Sequence, residues 1–281
     1  MTSLPQLVAP TQAVPFGRLV CAVDGTQDSL EAARQACRLA PGRPVTVVCA
    51  VDAFEELARP GDIPERSHQL RQRADDVVEH ARSYLVRSGV TGEVALAVEE
   101  GLLLDVLAFV VGDGARTLVA VGAPGGDAPP RARPTGAPGP DGIAQHESVG
   151  TVVRELPCSV LVARRPHDAA GFPSSIAVGL DGSAPALRAH AVATLLASAT
   201  EARLHCVVAL GGKGVDVDAL RTALPELPLA SVDQRSPVRA LVASGADLVV
   251  VGHRGLHGLR SLGSVSERVV ARCPGSVLVV H

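Results

Sequence analysis

Hydrophobic positions fall into two kinds of run along this chain. Short blocks such as Leu248 to Val251 and Val277 to Val280 are apolar at every position, as a strand buried on both faces of a parallel sheet requires. Between them, apolar residues recur every three or four positions, the spacing of a helix with one buried face. In the first half this pattern predicts strands near 18–23, 44–50, 93–98, 117–122 and 158–163, with helices near 27–40, 64–88, 102–112 and 148–156. In the second half it predicts strands near 176–180, 203–209, 228–233, 247–252 and 276–281, with helices near 185–199, 236–244 and 264–273 and a short helical piece near 215–224. Strands alternating with helices predict an α/β fold of two tandem, doubly wound, parallel five-stranded sheets.

The halves repeat one another. RLVCAVDG at 18–25 matches SIAVGLDG at 175–182, an offset of 157; TLVAVGAPG at 117–125 matches DLVVVGHRG at 247–255, an offset of 130. CSVLVA at 158–163 matches GSVLVV at 275–280, an offset of 117. An ordered internal repeat means two copies of one unit. The falling offset means that the second copy is shorter after its first strand, and that the first carries an insert near 126–146. The expected division is a flexible tail at 1–16, a first domain at 17–165 and a second at 174–281, with the Gly- and Pro-containing polar stretch 164–175 as linker.

Candidate chemistry concentrates where strands end. Gly252, Gly255, Gly258 and Gly263 punctuate a loop that also holds His253, Arg254, His257 and Arg260, and Ser264 with Glu267 has capping-box spacing at the start of a helix. Free N–H groups at a helix start, glycines that allow close backbone approach and a nearby guanidinium make an anion site, with phosphate the natural ligand. The competing reading is an ordinary connection whose glycines only make turns. Asp24 and Asp181 each end a first strand and face the crevice at the carboxyl ends of the sheet, where a carboxylate can accept from a sugar hydroxyl or an adenine amine. Equally, each can cap the helix that follows.

Composition removes several alternatives. Only four Phe and one Tyr are present, so the cores are Val, Leu and Ala and there is no aromatic platform for stacked bases. With 26 basic and 29 acidic residues the net charge of −3 gives no electrostatic case for nucleic acid or an anionic membrane. The sole lysine, Lys213, is followed by Gly214, so there is no Walker-type loop. The six cysteines contain no C-x-x-C pair, and Cys21, Cys49, Cys158 and Cys206 sit in apolar strand runs, as small hydrophobes of a reducing cytoplasm do. The N-terminus lacks a basic signal-peptide region, and no apolar run has transmembrane length, so the expected setting is cytoplasmic.

Taken together, VGLDGS at 178–183, VVVGHRG at 249–255, GSVSERVV at 263–270 and CPGSVLVV at 273–280, in that order and with partial copies in the first half, resemble the universal stress protein family in its tandem two-domain form. The resemblance implies a Rossmann-like, adenine nucleotide alpha hydrolase-like fold that binds ATP, or ADP or AMP, with or without magnesium. It implies that Asp181 meets the adenosine, that the backbone of Ala209 meets adenine, and that Gly252, Arg254, Gly255, Gly263, Ser264, Val265 and Ser266 hold phosphates and ribose. The weaker counterparts in the first half are Asp24, Gly122, Gly125 and Ser148. Two departures stand out: the loop 256–262 is two residues shorter than the family pattern, and Glu147 stands in the first half where the family has glycine.

A carboxylate there repels phosphate, so the first half is expected to bind nucleotide poorly. The resemblance also implies pairing of the last strands, Ser159 to Val162 with Ser276 to Val280, as an intramolecular pseudo-dimer, and leaves a homodimer open. No metal site and no catalytic residue is assigned, since the sequence has no H-E-x-x-H, G-x-S-x-G or S-x-x-K signature. The expected function is a stress-response protein whose nucleotide sets a conformation or a partner-binding surface. The alternatives are a nucleotide-free interaction scaffold, or a slow hydrolase using His253 or His257 as base.

Overall fold

A computed structural model describes residues 14–52, 63–114, 116–123, 149–164, 171–209, 215, 220, 222, 232–233, 235–253 and 265–281. The first half contributes strands β1 (Arg18–Ala22), β2 (Val45–Val51), β3 (Val94–Glu100), β4 (Thr117–Gly122) and β5 (Ser159–Ala163). Its helices are α1 (Gln27–Leu39), α2 (Ile63–Arg87), α3 (Leu103–Val111) and α4 (Val149–Glu155). The second half contributes β6 (Ser175–Leu180), β7 (Arg203–Ala209), β8 (Val232–Asp233), β9 (Leu248–Gly252) and β10 (Ser276–Val280), with α5 (Ala184–Thr200), α6 (Pro237–Val242) and α7 (Val265–Arg272). These elements lie where the hydrophobic pattern places them. Most of 215–224, and the residues of 228–233 before Val232, lie outside the described residues.

The two sheets expected from the pattern are one. Ten strands run in the order β3-β2-β1-β4-β5-β10-β9-β6-β7-β8. All neighbours are parallel except the central pair, where β5 and β10 run antiparallel with Leu161 opposite Leu278. The reason is the edge problem: each half ends on an apolar strand with one unpaired side, and the two edges satisfy each other's N–H and C=O groups. Helices α1, α2 and α5 cover one face of the sheet and α3, α4, α6 and α7 the other. Both interlayers are built almost wholly from Val, Leu and Ala.

Helix α2 shows how the pattern becomes packing. Leu70, Ala74, Val78, Ala81 and Leu85 are buried at helical spacing, while Arg71, Glu79 and Arg82 stay exposed. Residues 14–16, expected in the flexible tail, are held in place: Val14 and Phe16 are buried in the core, and Arg116 donates to the Val14 carbonyl at 3.0 Å. Hydrophobic burial holds these residues although no periodic element contains them.

Arg164 also departs from its expected place in a polar linker. It is 7% exposed, and its guanidinium donates to the carbonyls of Val270 at 2.5 Å and Gly275 at 3.4 Å, at the end of α7 and the turn beyond it. Burial pushes this guanidinium below its ordinary titration range. Its own carbonyl accepts from the Gln35 side chain at 2.6 Å, and the Ser276 hydroxyl donates to Gln35 Oε1 at 2.6 Å. Gln35 is fully buried on α1 beside the Glu31–Arg34 ion pair, so a polar seam stitches the halves beneath the sheet. Charge alone marked 164 as surface; the β5–β10 junction makes it interior.

Candidate functional site

Strand order reverses around β6, which lies between β9 and β7, so the half-two crevice opens outside the carboxyl ends of these strands. Asp181 follows β6. Its Oδ1 accepts from the N–H of Ser183 at 3.0 Å and from the Ser183 hydroxyl at 2.5 Å. Ser183 is the N-cap of α5 and accepts from Ala186 N–H at 3.4 Å. Gly182, at φ 83°, supplies the turn between them. Asp24 repeats the arrangement, its Oδ1 accepting from Thr26 N–H at 2.9 Å and the Thr26 hydroxyl at 2.6 Å, while Thr26 caps α1. Neither aspartate is the cap itself. Each braces the residue that caps, which corrects one of the two readings of the Asp-Gly-Ser/Thr motif.

Gly252 ends β9 against the first turn of α5, where a β-carbon would fall 2.3 Å from the Pro185 carbonyl oxygen. In half one Gly122 is confined in the same way by the Asp28–Ser29 peptide, 2.5 Å from a β-carbon position. These two glycines are therefore demanded by strand–helix packing, whatever they also do for a ligand. Ser266, buried in the first turn of α7, donates its hydroxyl to the Gly252 carbonyl at 3.0 Å, fastening that turn to the strand end. At the 117-residue offset that matches Val152, Val153 and Ser159 with Val269, Val270 and Ser276, the half-one counterpart of Ser266 is Val149. That position of half one carries no hydroxyl.

Ala209, buried at the end of β7, is level with Asp181, because Leu180 pairs with Val208 on the adjoining strand. Asp181, Ala209, Gly252, Val265 and Ser266 are thus brought to one end of the half-two sheet. Arg254, Gly255, Gly263 and Ser264, like Gly125 and Ser148 of half one, lie outside the described residues. Inside the half-one core, burial pushes the Cys49 thiol up to about 12, and the charges of Asp24 and Asp75 push the same way. Asp52, the residue after β2, is buried.

Two features had no signal in the sequence. The rings of His253 and His281 stack with centroids 4.0 Å apart and planes 14° apart, above the paired ends of β9 and β10. Arg154 of α4 reaches Glu267 of α7 at 3.3 Å. Both pairs join residues far apart in the chain. Among the described residues there is no cluster of three or more His, Cys, Asp or Glu able to hold a metal, and no helix long and apolar enough to cross a membrane.

A doubly wound sheet with its polar groups gathered at the strand-order switch is the architecture of a crevice-binding α/β protein. Residues 229–281 match the model of the universal stress protein family. A universal stress protein from Archaeoglobus fulgidus DSM 4304 aligns over 94% of this chain and 98% of its own, at 18% identity and a TM-score of 0.65. A putative universal stress protein from Pseudomonas aeruginosa UCBPP-PA14 aligns over 94% of this chain and 93% of its own, at 16% identity and a TM-score of 0.56. A universal stress protein solved in complex with cAMP is 35% identical, covering 39% of this chain and 97% of its own, at a TM-score of 0.33. No curated protein matches. Residues 229–281 thus carry the universal stress protein pattern, and the chain as a whole shares the fold of the structures matched to it.

Proposed function

We propose that half two binds one adenine nucleotide, ATP or a relative of it, and that occupancy sets the conformation or partner surface of the chain. The observation that carries this reading is the convergence of Asp181, Gly252 and Ser266 at the strand-order switch, with the first turns of α5 and α7 tied to it. There Asp181 would accept from the nucleoside and the Ala209 backbone would meet adenine. Gly252, Arg254, Gly255, Gly263, Ser264, Val265 and Ser266 would surround phosphates and ribose, with helix N–H groups as donors. Glu147, standing where the family has glycine, supports a stoichiometry of one. The antiparallel β5–β10 pair lets the two halves serve as an intramolecular pseudo-dimer in a cytoplasmic setting.

One observation favours a second reading, a scaffold without nucleotide. Asp181 is already engaged with Ser183, and Gly252 is required by Pro185, so both features have uses in an empty protein. A thermal-shift titration with ATP, ADP, AMP and cAMP, with and without magnesium, separates the two; cAMP joins the series because a matched family member was solved with it. A ligand that binds only the folded state raises the melting temperature with concentration. A shift that is present in the native protein and lost in Asp181→Ala supports the site, and no shift with any nucleotide leaves the scaffold. Multiple turnover of ATP would instead point to a hydrolase.

A further inference from the structure

Half one reaches the surroundings of the half-two crevice through Arg154, near the end of α4. Its Nη1 donates to Glu267 Oε1 at 3.3 Å and its Nε to the adjacent Glu155 at 2.9 Å. The Arg154 and Glu267 side chains are 27% and 21% exposed, so the pair is partly shielded from water and salt. Glu267 stands in the first turn of α7, one residue beyond Ser266, whose hydroxyl holds that turn to Gly252.

The pair occurs once although the repeat offers two places for it. At the offset that matches Val152, Val153 and Ser159 with Val269, Val270 and Ser276, the counterpart of Arg154 is Ala271 and that of Glu267 is Gly150. Neither carries a charge. The repeat thus places this arginine at the end of the α4–α7 contact where the second helix begins, and its own counterpart position at the other end holds alanine.

A carboxylate in a helix's first turn is favourable in an empty protein, but it opposes any anion brought to the same N–H groups. Arg154, shared with Glu155, offsets part of that charge and draws the carboxylate toward α4. We propose that Arg154 is a positioning residue lent by half one to the nucleotide site of half two, drawing Glu267 toward α4 and offsetting part of its charge so that the start of α7 can accept phosphate. This rests on the nucleotide reading of half two. It makes that site dependent on both halves of the chain.

The test is calorimetric titration of the full chain with magnesium ATP, comparing the native protein with Arg154→Ala, Glu267→Gln and the double variant. Arg154→Ala is expected to weaken binding about tenfold, because the Glu267 carboxylate, less offset, then opposes the phosphate through a partly screened medium. Glu267→Gln is expected to bind at least as tightly as the native protein, and the double variant to match Glu267→Gln within about twofold. The Arg154→Ala deficit should shrink as salt rises from about 0.05 to 0.5 M. Melting without nucleotide guards against a folding defect. Native-like affinity in Arg154→Ala, or a double variant as weak as Arg154→Ala, overturns the proposal while leaving the nucleotide site standing. A native protein that takes up no ATP overturns both.

Discussion

Gly252 and Pro185 touch through their backbones: the Gly252 α-carbon leaves no room for a side chain, since a β-carbon would lie 2.3 Å from the Pro185 carbonyl oxygen and 2.8 Å from its β-carbon. Neither neighbour is the far end of a flexible side chain, so a substitution must move α5 or the end of β9. Gly252→Ala is expected to destabilise the protein by at least about 2 kcal/mol with no nucleotide present, and Gly122→Ala similarly. Urea unfolding followed by circular dichroism measures this. Native stability in Gly252→Ala together with lost nucleotide binding would assign the glycine to the ligand instead.

The halves are joined by buried polar groups as well as by β5 and β10. Ser276→Ala removes the donor to Gln35 Oε1, a group with no access to water. Leaving that oxygen unsatisfied should cost about 1–3 kcal/mol. Because one sheet and one seam cross the junction, the loss should appear as a shift of a single cooperative unfolding transition. Two transitions, with only one displaced, would mean that the halves unfold independently.

Asp247 clamps the start of β6. Its Oδ2 accepts from the N–H and hydroxyl of Ser174 at 2.8 and 2.6 Å and from those of Ser175 at 3.1 and 3.3 Å. Partial burial pushes the carboxyl up, but these hydrogen bonds outweigh it and the group titrates below its ordinary value. A depressed folded value means that the stabilisation is present above the unfolded pKa of about 3.9 and is lost as pH falls through the lower folded value. Asp247→Asn should therefore be less stable than the native protein at neutral pH, by about 1 kcal/mol after allowance for solvent screening. The difference should close in acid, and a constant difference across the pH range would contradict the assignment.

Burial pushes the thiols of Cys37, Cys49 and Cys158 up to about 12. These groups favour folding while neutral, so the stability they contribute is complete below the unfolded thiol value of about 8.5 and drains away as pH rises toward 12. At pH 8 the native protein should react slowly with a thiol reagent, Cys206 first because it alone among the cysteines is not fully buried. Denaturation should expose all six thiols. A fast-reacting cysteine other than Cys206 in the native protein would show that the cores open readily.

Strand and helix positions could be read from the chain because a strand covered on both faces must be apolar throughout and a surface helix must be apolar on one stripe. Leu248–Val251 and Leu70, Ala74, Val78, Ala81 and Leu85 carry those signatures in their own residues. The repeat, with Asp24 matched to Asp181 and Gly122 to Gly252, likewise located both crevices without coordinates. What the chain could not show is how distant residues meet. The brace of Asp181 on Ser183 is local, yet the clash of Gly252 with Pro185, the hold of Ser266 on Gly252 and the pairing of Arg154 with Glu267 depend on strand order and helix layering. Arg164 is the sharpest case. Its charge predicts exposure, and it is buried because two sheet edges close over it and supply carbonyl acceptors. Periodicity fixes which face a residue presents, while the partner on that face is decided only when the whole sheet assembles and buried polar groups must find acceptors.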